Sequence, residues 1–149
     1  MAINTSAGSL FGRYISCLDA IMVQEFEGRI EHMNTPELTP LTYTHPLLVI
    51  DDEEVILDIY RILFVGKSYE LHTANCAEEG LRMLRENPNF SLIISDQKMP
   101  GMTGVEFFAQ AREICPQAAR VLLTGFTDTD AIIDAINNRT RVVAISAVQ

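Results

Sequence analysis

Short apolar runs alternate along this chain with longer segments in which apolar residues recur every third or fourth position. Residues 47–50, 92–95 and 119–123 are nearly continuous apolar runs bounded by turn residues, the pattern of strands covered on both faces. Residues 70–74 and 141 to about 146 read as two further strands. Between them the spacing predicts helices over about 53–64, from Asn75 to about 86, over 104–114 and over 128–137. Asp52 is the expected N-cap of the first, with Glu53 and Glu54 in its first turn. Asn75 is the expected cap of the second, with Glu78 in the capping-box position. Thr127 is the expected cap of the fourth, and Gly66, Pro88 and Pro116 are expected stops. In the third helix Val105, Phe108, Ala111 and Ile114 are expected to face inward.

Strand and helix therefore alternate, β-α-β-α-β-α-β-α-β. That order implies an α/β fold, a doubly wound parallel sheet with helices on both faces. Every strand then ends at the same rim, where such sheets place ligands. Upstream, Phe11, Tyr14, Ile15, Leu18, Met22, Phe26, Ile30 and Met33 form a helical stripe. Residues 1–33 read as an amphipathic helical extension whose stripe must bury itself, either on its own domain or on a second copy of the chain. Residues 34–46, with Pro36, Pro40 and Pro46, read as a stiffened linker. The main domain is expected over 47–149.

Composition narrows the function. Apolar residues make up 48% of the chain, enough for a packed core. A net charge of −9 argues against direct nucleic-acid binding. No apolar run reaches the length of a membrane span, and no basic segment with a greasy core marks a secretion signal. The three cysteines, Cys17, Cys76 and Cys115, are widely spaced and form no CxxC pair, which fits reduced thiols in a cytoplasmic protein.

The chemistry gathers at the strand ends. Asp51 and Asp52 follow the first strand, Asp96 the third, and Thr124 the fourth. Taken singly, an aspartate after a strand is more often a cap or turn residue than a reactive group, and Thr124 reads as a strand-end hydroxyl. Together they form a constellation. Carboxylates converging on one spot repel, and a divalent cation removes that penalty. Oxygen-only ligands suit Mg²⁺ beside a phosphoryl group. One carboxylate can also act as a nucleophile and form an acyl phosphate.

The runs Leu-Leu-Val-Ile-Asp51-Asp52-Glu53, Ile-Ser-Asp96-x-x-Met99-Pro100-Gly101-Met-Thr-Gly104 and Val-Leu-Leu-Thr124-Gly125 resemble, in order and spacing, the receiver domain of bacterial two-component response regulators. The resemblance covers roughly residues 46–138. It implies a flavodoxin-like, CheY-like fold with five parallel strands in the order 2-1-3-4-5. It implies that Asp96 is the phosphoacceptor, and that Asp51, Asp52, Asp96 and the backbone carbonyl of Lys98 hold Mg²⁺. It implies that Thr124 hydrogen-bonds a phosphoryl oxygen. The donor would be a sensor histidine kinase or phosphotransfer protein, and a further protein would read the result. The chain is not expected to be an enzyme beyond Mg²⁺-dependent self-phosphorylation and dephosphorylation.

The chain departs from the family at its C-terminal end. The family's lysine on the fifth strand falls near Ala147 and Val148, and no lysine follows Lys98. Its aromatic switch residue falls near Ala144, and the fifth helix is expected to be missing. The 9–33 helix is the expected cover for the sheet face so exposed, from the same chain or from a homodimer partner. These losses keep a second reading open: a degenerate receiver acting as a phosphorylation-independent interaction or dimerisation scaffold. A phosphatase with an aspartate nucleophile on the first strand is disfavoured, because the Asp-x-Asp arrangement is absent from Asp51-Asp52-Glu53.

Overall fold

The computed structural model describes residues 45–67, 69–124, 130, 133 and 141–144. The expected N-terminal helix, the linker up to residue 44 and nearly all of the 128–137 helix lie outside the described residues. The elements are β1 (His45–Ile50), α1 (Glu54–Leu63), β2 (Tyr69–Ala74), α2 (Ala77–Glu86), β3 (Leu92–Asp96), α3 (Gly104–Ile114), β4 (Ala119–Thr124) and β5 (Arg141–Ala144). The α/β alternation does give a parallel sheet: the strands run in the order β2-β1-β3-β4-β5, with every neighbouring pair parallel.

Chain order reverses at β1. The path steps to β2 on one side and returns past β1 to β3 on the other. Right-handed crossovers then put α1 on one face of the sheet and α2 and α3 on the opposite face. Both faces of β1 and β3 are covered, so Leu47–Ile50 and Leu92–Ile94 are all buried and read as unbroken apolar runs. Side chains alternate between faces. Leu48, Ile50, Ile93 and Leu122 join Ala77, Leu81 and Leu84 of α2 and Phe107, Phe108 and Ala111 of α3 in one core cluster. Leu57 and Tyr60 are the buried residues of α1. Burying a side chain such as Phe107 completely stabilises the fold by about 1.5–3 kcal/mol. Phe107 was not among the expected inward residues, whereas Val105 and Ile114 only pack at the cluster's edge.

Two caps differ from expectation. The N-cap position of α1 is Glu53, which makes no side-chain cap, so Asp52 does not cap the helix. Asp51 substitutes from outside by accepting the Glu53 amide at 2.9 Å. The N-cap position of α2 is Cys76, and Glu79 rather than Glu78 reaches back, accepting the Asn75 amide at 3.1 Å. The full capping box belongs to α3, between Thr103 and Glu106. α1 also keeps a greasy outer side: Val55 and Ile62 are 69% and 73% exposed, with Ile59 half-buried between them.

Candidate functional site at the strand ends

Asp51 follows the last residue of β1, Asp96 ends β3 and Thr124 ends β4. Ile50 pairs with Ser95 and Asp96 with Leu123, so the three residues stand at one level of the rim. Adjacent strands are about 4.8 Å apart, which brings Asp51 and Asp96 into each other's electrostatic reach. Asp51 and Thr124 are buried, Asp96 is half-buried, and Asp52 is exposed. The loop after β3 carries Lys98, whose amide donates to Asp96 Oδ2 at 3.0 Å.

Burial first, and then the charges of Asp96, Asp52 and Glu53, push the Asp51 carboxyl up to about 6 against the opposing hydrogen bond from the Glu53 amide. Asp96 is raised for the same leading reason, with the amides of Lys98 and Gln97 opposing and the charges of Asp52 and Glu53 adding. The rim thus holds a set of carboxylates that disfavour one another's ionisation. An all-oxygen set under such strain fits a hard divalent cation such as Mg²⁺, whose charge reverses the penalty. Among the described residues no group of three His, Cys, Asp or Glu side chains is already gathered tightly enough to form a metal cage.

The loop between β3 and α3 is shaped by two glycines. Gly101 has φ 85, a left-handed conformation that side chains resist. Gly104 opens α3 so close to β3 that a Cβ there would collide with the backbone oxygen of Asp96 and lie 2.6 Å from Leu122 Cδ1. Its amide donates to Gln97 O at 3.1 Å. The Gln97 side chain, buried to 9% exposure, accepts the Val105 amide at 3.1 Å through Oε1. Sequence reasoning missed Gln97 and the Thr103–Glu106 box. The second was legible as a Thr-x-x-Glu motif before an apolar run, whereas nothing in the sequence distinguishes Gln97 from a surface glutamine.

Comparison with known proteins places these features in a family. The family model for the response regulator receiver domain matches residues 47–143. The hydrogenase transcriptional regulatory protein HoxA of Cupriavidus necator is 37% identical over 91 residues, which is 61% of this chain and 18% of that protein. The response regulator SaeR of Staphylococcus epidermidis is 29% identical over 62% of this chain and 39% of that protein. The chain therefore spans well under half the length of these relatives. Among solved structures, a response regulator receiver domain protein from Clostridium thermocellum superposes with a TM-score of 0.63 at 32% identity, covering 70% of this chain and 83% of that one.

Proposed function

The chain belongs to the response regulator receiver domain family, and from that premise we propose that it accepts a phosphoryl group on Asp96 from a histidine kinase or phosphotransfer protein. The observation that carries this reading is the position of Asp96: a half-buried carboxylate at the tip of a central strand, held by the Lys98 amide, with its charge acting on Asp51. A carboxylate oxygen of Asp96 attacks phosphorus, the bond from phosphorus to the donor nitrogen breaks, and an acyl phosphate forms while the nitrogen leaves with the electron pair. The Lys98 amide fixes the carboxylate's orientation for that attack. Asp51, Asp52, Asp96 and the Lys98 carbonyl would hold Mg²⁺, which when bound neutralises charge on the transferring group. The Thr124 hydroxyl donates to a phosphoryl oxygen. α1 starts two residues beyond Asp52, so its outer stripe of Val55, Ile59 and Ile62 offers the donor protein an apolar grip beside the rim.

Incubation with acetyl phosphate and Mg²⁺ labels the wild-type chain and leaves Asp96→Asn unlabelled. Equal labelling of both ends this reading. A second reading, the phosphorylation-independent scaffold, rests on the fifth strand. The strand position paired with Thr124 is Ala144 and not an aromatic residue, and residues 99–149 contain no lysine. Under that reading partner binding is the same for wild type and Asp96→Asn.

A further inference from the structure

Arg120 is the second residue of β4, at the end of the strand away from the carboxylates, and it is 8% exposed. A guanidinium stays charged in a protein, so burying it calls for acceptors. Its Nη1 donates to Ala118 O at 3.0 Å. Its Nε is buried with no hydrogen-bond partner, the one side-chain atom so left among the described residues. In a guanidinium Nε and Nη2 together form the parallel N–H pair that matches two oxygens of one anion. A second cation stands close by: burial first, and then the charge of Arg112 on α3, lower the affinity of Arg120 for its proton.

Arg112, Glu113, Pro116 and Arg120 line an open cleft of about 490 Å³. Glu113, the one carboxylate among the described lining residues, reaches Arg112 at 3.8 Å and is largely exposed. Two guanidiniums, one of them sunk in the protein with its Nε unmet, thus line a space the size of a small-molecule site. We propose that this cleft binds a small oxyanion, a carboxylate or phosphate group seated between Arg120 and Arg112. The site is separate from the phosphoacceptor. Arg120 and Thr124 are four residues apart on an extended strand, about 13 Å.

The test is an amide NMR titration of the full chain, freed of divalent cations by dialysis, with succinate and separately with inorganic phosphate. Saturating shifts centred on Arg112, Ala118 and Arg120 are expected with at least one of them, and the responding anion identifies the chemistry. Affinity drops about tenfold in Arg112→Gln and in Arg120→Met, the loss of one charge-assisted contact, and is unchanged in Asp96→Asn. Should Arg120→Met fail to fold, the exposed Arg112→Gln carries the comparison. Absence of saturation with both anions, equal affinity in Arg112→Gln, or shifts centred on Asp96 instead would overturn the proposal.

Discussion

Gly104 and Asp96 are in backbone contact: a Cβ on Gly104 would strike the carbonyl oxygen of Asp96. The first turn of α3 is thereby pressed onto the tip of β3, and the carboxylate's loop has no slack. Gly104→Ala must push the helix away or distort the strand. Overpacking of this kind costs about 1–3 kcal/mol, so urea unfolding of the variant should show that loss. Labelling of Asp96 by acetyl phosphate should also slow. A melt and a labelling rate equal to wild type would remove the close approach as a determinant of the site.

Asp51 makes stability depend on pH. Its carboxyl rises from 3.8 to about 6 on folding, so between those values the folded chain binds more protons than the unfolded one. Stability is greatest below the unfolded value and is lost as pH rises through about 6. Asp51→Asn keeps an oxygen for the Glu53 amide and removes the charge. At pH 7.5 it should stabilise the chain by roughly 2 kcal/mol or less, and at pH 4 the difference should vanish. Thermal melts of both proteins across that range check the sign.

Mg²⁺ should act on the same strain. With the cation, wild type melts higher at pH 7.5, because the carboxylate repulsion is compensated. Asp51→Asn and Asp96→Asn should each lose most of that gain. Chelation should also abolish labelling of Asp96. A melting temperature indifferent to Mg²⁺ would contradict the assignment of these residues as its ligands.

The outer stripe of α1 gives a prediction that separates donor docking from chemistry. Ile62 is 73% exposed, so Ile62→Asp leaves the fold intact. It should slow phosphotransfer from a protein donor by about tenfold, the scale of one lost interface contact. The rate with acetyl phosphate should stay the same. Equal slowing with both donors would place the effect in the site and not in docking.

Loss of the α3 cap is a purely structural test. Thr103 Oγ1 accepts the Glu106 amide at 3.3 Å and Glu106 returns the contact to the Thr103 amide at 2.9 Å. Thr103→Ala should cost about 1 kcal/mol, seen in a urea melt.

How much of this was legible beforehand follows from the range of the forces involved. The strands and the rim positions of Asp51, Asp96 and Thr124 are consequences of local periodicity and chain order, which any reader of the sequence has. Parallel pairing and right-handed crossovers then leave few ways to arrange them. That at least one rim carboxyl would be pushed toward its protonated form was legible, since like charges repel; that it would be Asp51, and burial above all, was not.

Other features depend on contacts between segments far apart in the chain. Asp52 and Asp51 are chemically identical neighbours, yet only one turns inward to hold the Glu53 amide. Phe107 and Phe108 share a helix turn, and which is sealed completely depends on how α3 lies across the sheet. The helical period alone, read from residue 105, picks out Phe108 and passes over its neighbour. Arg120 reads as an ordinary strand-edge charge until β4 and α3 close around it. Hydrophobic pattern and order along the chain settle which elements form and which ends they share. The packing of one element on another settles which side chains at those ends are buried, crowded or left without a partner, because those energies arise only once distant segments meet.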